Sequence, residues 1–243
     1  MLTYACLGGG AAFLLAFMIM CHKKRSVLGV YIKNLTSIFF LLTGLTATFC
    51  NSDYPDLWMY SLPIMMGGVF GLMGDIYLDQ KWLYPQHNDQ YLNMGFISFG
   101  IGHFFYMGAI YTQAHFTPKD MLVPLGVGAL VTVCNLLLEK PTKQKYGKFY
   151  AIVTLYCLIL GTMVGTSLWA AIQTKQIAYI VFNIGAVLFL LSDIILSPMY
   201  FAIKQNRNTP FNFVINHATY YIGQFMIAFS VFLLEPVCSI SCC

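Results

Sequence analysis

The chain has 243 residues, 58% of them hydrophobic and only 9% charged, where an ordinary soluble domain carries roughly 25% charged residues. With a mean hydropathy of +0.70, this composition excludes a water-soluble globular enzyme and points to an integral membrane protein. The formal net charge of +4 calls for no nucleic-acid partner, because the basic residues are spread over short connectors and not gathered on one domain.

Apolar runs of about 20 residues, the length that crosses a hydrocarbon core of about 30 Å, recur along the chain. Eight spans are predicted, near 2–21, 30–50, 57–79, 92–112, 120–138, 149–171, 177–197 and 214–234. They define an all-α, polytopic membrane bundle that forms a single transmembrane domain over 1–243. The first run has no Lys or Arg before His22-Lys-Lys-Arg25, so it reads as a helix and not as a cleaved leader.

The odd-numbered connectors hold Lys23, Lys24, Arg25, Lys81, Lys140, Lys143, Lys145, Lys148, Lys204 and Arg207, whereas the even-numbered ones hold only Lys119 and Lys175. By the positive-inside rule the odd connectors face the cytosol. Both termini are then expected to be lumenal or extracytosolic, in the endoplasmic reticulum or another endomembrane if the cell is eukaryotic. Cys6, Cys21, Cys50, Cys134 and Cys157 fall in or beside apolar runs, where cysteine acts as a small hydrophobe. Cys238, Cys242 and Cys243 crowd the tail, and their pairing is left open.

Two spans end in an aspartate in nearly the same setting, Gly74-Asp75-Ile-Tyr-Leu78 and Ser192-Asp193-Ile-Ile-Leu196. An acid at a helix centre in the membrane costs about 2.5 to 3.5 kcal/mol, less toward the ends, so such a residue is a functional candidate by default. The two stand 118 residues apart, and His103-Phe-Phe-Tyr106 is answered 114 residues later by His217-Ala-Thr-Tyr220. This spacing fits two parallel four-helix repeats, about 1–115 and 116–243, with a site between them.

The predicted topology places both acids near the cytosolic ends of spans three and seven, in one layer with Lys33, His217, Tyr220, Tyr221 and Gln224. Gly67, Gly71 and Asp75 share a stripe on span three; His217, Tyr220, Tyr221, Gln224 and Ala228 share a face of span eight. The plain structural reading of the acids is an ion pair with Lys33. The functional reading is a coupled pair of carboxyls, one holding a proton and one ionised, suited to acid–base work. Asp79 is expected at the headgroup interface, in water. No zinc-ligand spacing, no H-E-x-x-H, no G-x-S-x-G and no Gly-rich phosphate loop is present.

Gly74-Asp75, His103-x-x-Tyr106, Phe189-Leu-Leu-Ser192-Asp193 and Thr219-Tyr-Tyr-Ile-Gly-Gln224 together resemble the lysoplasmalogenase membrane family, also called YhhN-like. The likeness runs from about Lys33 to Ala228, and Tyr156 and Met163 also suit the family pattern. Asn34 stands after Lys33 where the family usually has proline, and Gly223 where alanine is common. The resemblance implies hydrolysis of the vinyl ether bond of lysoplasmalogens to a fatty aldehyde and glycerophospho-ethanolamine or -choline, with no redox or organic cofactor. It carries the catalytic role to Asp75 and Asp193, and positioning roles to Lys33, His103, Tyr106, Tyr156, Ser192, Tyr220, Tyr221 and Gln224. The substrate would be a lysophospholipid drawn from the bilayer. The rival from another class is a proton-coupled transporter that uses the same acids as a relay.

Overall fold

A computed structural model of the chain describes residues 1–21, 27–51, 56–203 and 208–235. The basic residues of the first and seventh connectors and the cysteine-rich tail, Cys238 to Cys243, lie outside these. The described residues form long helices α1 (Leu2–Cys21), α2 (Val27–Cys50), α3 (Leu57–Leu83), α4 (Asn88–Gln113), α5 (Leu122–Leu138), α6 (Tyr150–Thr174), α7 (Ile177–Phe201) and α8 (Pro210–Phe229), joined partly by short 3-10 turns. Seven are long and apolar enough to cross a membrane. The chain is a polytopic helical membrane protein.

The eighth helix, α8, has 20 residues, enough for about 30 Å, but carries Asn216, His217, Tyr220, Tyr221 and Gln224, all buried. Its lower hydropathy follows from facing a polar interior. It starts four residues earlier than predicted because Thr209 caps it, accepting from the Asn212 amide, and Pro210 takes the first helical position, where no donor is lost. Helix α3 runs on to Leu83, past the predicted end at 79, because Asp79 and Lys81 are buried by partners on other helices and not by lipid.

Helices α2, α3, α4, α6, α7 and α8 pack in that order around a ring, closed by α8 against α2; α1 lies outside on α2 and α8, and α5 outside on α6. Glycines fix the closest approaches. A methyl on Gly67 would stand 2.9 Å from the Gly102 carbonyl oxygen, and one on Gly102 equally close to that of Gly67. The α7–α8 pair repeats this, with 2.7 Å from a Gly185 methyl to the Gly223 oxygen and 2.6 Å for the converse. Only glycine lets two backbones meet so closely, the small-residue packing that substitutes for a hydrophobic drive in lipid. Pro63 inside α3 frees the Met59 carbonyl, which lies 3.4 Å from the Thr112 hydroxyl of α4, whose nearer acceptor is the Gly108 carbonyl at 2.8 Å.

Candidate functional site

The ends of α3 and α7 and the beginnings of α2 and α8 surround a small cavity of about 40 Å³, room for a few waters. Asp75, Asp193, Lys33, Ser192, Tyr220, Asp79, Asn216 and His217 line it, with Phe99, Phe189 and Tyr200 among its apolar walls. Both aspartates thus open onto one space.

Asp75 is the more heavily held of the two. Its Oδ1 stands 3.1 Å from the Lys33 ammonium, which also reaches Asp79 Oδ2 at 3.1 Å. Asp75 Oδ2 accepts from Ser37 at 2.8 Å and from Tyr220 at 2.7 Å. Behind Ser37, the Tyr221 hydroxyl lies 2.9 Å from its oxygen and 3.1 Å from the Lys33 carbonyl. Three charges and three hydroxyls from α2, α3 and α8 therefore form one connected network, which satisfies groups that apolar surroundings would otherwise penalise. Asp79 is not at a solvated interface: it is 4% exposed, one helical turn from Asp75 and on the same face, where Lys33 can bind both.

Asp193 is held differently. Its Oδ2 accepts from the Tyr156 hydroxyl of α6 at 2.6 Å, and His103 Nε2 of α4 lies 3.3 Å from the same hydroxyl. His103 Nδ1 is buried and has no hydrogen-bond partner among the described residues. Among the described residues no cation pairs with Asp193. Ser192 bonds back to the Phe189 carbonyl, and Asn216 donates to the Ser192 carbonyl at 2.8 Å, tying α8 to the turn that carries Asp193.

Tyr106 and Gln224 lie apart from the cavity, joined by a 2.7 Å bond between the Tyr106 hydroxyl and Gln224 Oε1. Gln224 Nε2 is buried and has no partner among the described residues; it lies beside Gly71, where a methyl would come within 3.1 Å of it. The Gly67–Gly71 stripe therefore serves two neighbours, α4 at Gly67 and α8 at Gly71. His217 donates Nδ1–H to the Phe213 carbonyl at 2.8 Å and presents its ring to Phe17.

Asp193 also borders a second, larger space. A cavity of about 270 Å³ lies between α4, α5, α6 and α7, walled by side chains such as Phe96, Leu130, Val153, Leu160 and Leu190, with Tyr156 and Asp193 at one edge. Leu78, Phe99, Leu196 and Tyr200 border both spaces.

Ser37, Asn216 and Tyr200 are site members that the sequence reading missed. Ser37 was detectable as the residue one turn after Lys33, and Tyr200 as the one two turns after Asp193. Nothing in the sequence marks Asn216 apart from its neighbour His217. Among the described residues no group of three metal-ligating side chains comes together.

The fold is a multi-pass helical bundle in which acids from two helices line one small cavity beside an apolar chamber. Residues 28–231 match the YhhN family, so the chain belongs to it. No curated protein and no solved structure matches the chain.

Proposed function

We propose that the chain is a lysoplasmalogenase, an ether hydrolase that cleaves the vinyl ether bond of lysoplasmenyl-ethanolamine or -choline. The observation that carries this reading is that Asp75 and Asp193 share one cavity but differ in charge environment. Asp75, with a lysine and two hydroxyl donors, is the ionised carboxylate. Asp193, half-buried beside apolar side chains and with no cation paired to it among the described residues, keeps its proton and is the general acid. Membership of the family supports the same reaction.

In this scheme the proton of Asp193 passes to the β-carbon of the vinyl ether, and positive charge appears on the α-carbon and the ether oxygen. Asp75 stabilises that cation and takes a proton from the water that attacks the α-carbon. The hemiacetal then collapses. Its hydroxyl proton returns to Asp193, the bond to the glycerol oxygen breaks, and that oxygen takes the proton held by Asp75. The products are a fatty aldehyde and a glycerophospho-alcohol, and both acids return to their starting states. Paired acids divide their roles in the same way in glycoside hydrolysis.

Tyr156, backed by His103, orients Asp193; Ser37, Tyr220 and Lys33 orient Asp75, with Tyr221 behind them; Tyr106 and Gln224 brace α4 against α8. The single hydrocarbon chain occupies the apolar chamber. With the lysine-rich end facing the cytosol, cleavage takes place in the cytosolic half of the membrane. Purified protein incubated with lysoplasmenyl-ethanolamine should release aldehyde, and Asp75→Asn or Asp193→Asn should lower the rate about 10² to 10⁴-fold. Uptake of the lipid into vesicles with no bond cleavage would overturn the hydrolase reading in favour of transport.

A further inference from the structure

A third cavity, of about 410 Å³, opens where the α5–α6 loop meets the end of α7. Its wall carries three lysines brought from different places: Lys81 from the end of α3, and Lys145 and Lys148 from the loop. The loop is pinned there by backbone bonds from the Lys145 amide to the Phe201 carbonyl and from the Ile203 amide to the Lys143 carbonyl, each 3.0 Å. Lys81 is only 6% exposed, with its ammonium 2.9 Å from the centre of the Tyr200 ring. Lys145 is exposed, and Lys148 forms an exposed pair with Asp89, a kind of contact that contributes little and exchanges readily.

Three positive groups around one hollow attract an anion, and a buried lysine at its wall makes that attraction stronger than at an open surface. The hollow also has a fixed relation to the acids. Tyr200 borders all three cavities, and Leu92 and Phe201 border both this one and the apolar chamber. Tyr200 lies seven residues after Asp193, about 10 Å along α7, a span suited to the glycerophosphate that separates a phosphate from an ether carbon. Lys33, the lysine beside the acids, is already bound to Asp75 and Asp79.

We propose that this hollow is the phosphate subsite of a single-chain phospholipid, with Lys81 and Lys145 contacting the phosphate and Tyr200 separating the headgroup from the acids. The assignment of the lipid's class rests on the hydrolase reading; the anion site itself does not. It is tested by binding, with no turnover required. Protein in nanodiscs is titrated with a saturated alkyl-ether lysophosphocholine, which has no vinyl bond to cleave, and with the matching alkylglycerol, which has no phosphate.

Wild type should bind the phospholipid more tightly, and the Lys81→Met/Lys145→Ala pair should weaken it by about tenfold while changing the alkylglycerol by less than twofold. Lys145→Glu, at an exposed position, gives the same test if the double variant does not fold. Equal losses for both lipids, or no loss for either, would overturn the proposal. Tight binding of glycerol phosphate or inorganic phosphate, matching that of the lipid, would show a site for free anions and would overturn the lipid assignment. Failure of aldehyde release with the binding pattern intact would remove the hydrolase reading and leave the subsite standing.

Discussion

Replacing Lys33 by methionine keeps most of the unbranched stem and removes the ammonium and its charge, leaving Asp75 and Asp79 facing each other without that cation. At 3.1 Å, each ammonium–carboxylate contact is worth about 5 kcal/mol at an effective dielectric near 20. Desolvation of the three groups cancels much of that sum, and loss of one partner from a buried pair typically costs about 3 to 5 kcal/mol, chiefly because the remaining charge is stranded. Lys33→Met should therefore lower stability by that amount, read as the shift of the SDS-unfolding midpoint of the protein in mixed micelles. The variant in which Asp75→Asn and Asp79→Asn are added should regain most of the loss, since a neutral cluster strands nothing. A single variant that costs less than about 1 kcal/mol, or a neutral triple variant no more stable than the single, would refute the idea that Lys33 neutralises both acids inside the bundle.

Gly185→Ala should destabilise by about 1 to 3 kcal/mol, because its methyl meets a backbone oxygen at 2.7 Å that no rotamer can move. Gly108→Ala, with nothing within 4 Å, should stay within about 0.5 kcal/mol in the same unfolding assay. Tyr156→Phe removes the 2.6 Å bond to Asp193 and should lower aldehyde release by more than tenfold while leaving the unfolding midpoint within about 1.5 kcal/mol; unchanged turnover would deny Tyr156 a role. Leu190→Trp fills part of the apolar chamber, so KM for long-chain substrate should rise while a short-chain analogue is unaffected, as measured by steady-state kinetics on both.

The spans and the two acids were legible because lipid imposes crude constraints: a fixed run length, and a heavy cost for carboxyls that leaves few unexplained. The partners of those acids were less legible. Asp79 ends an apolar run and so looks solvated, and only its meeting with Lys33 on another helix buries it. Ser37 resembles the many hydroxyls on these helices that bond back to a carbonyl one turn earlier, as Thr36 and Thr43 do; its reach to Asp75 depends on how α2 meets α3. String likeness also set His103 against His217. The glycine contacts favour a different register, in which Gly67 and Gly102 correspond to Gly185 and Gly223, and His103 to Gln224. Two-repeat symmetry on that register is a proposal that structural superposition of the halves would test.

The backbone contacts at Gly67–Gly102 and Gly185–Gly223 each stand eight residues before an aspartate on the same helix, a lever of about 12 Å. Each acid is thus positioned from a fulcrum of main-chain atoms, with no swivelling side chain at the pivot. When bilayer thickness changes and helices tilt to follow it, both levers swing about matched points. The gap between the carboxyls should therefore survive transfer between thin and thick membranes, and so should any chemistry that needs them together.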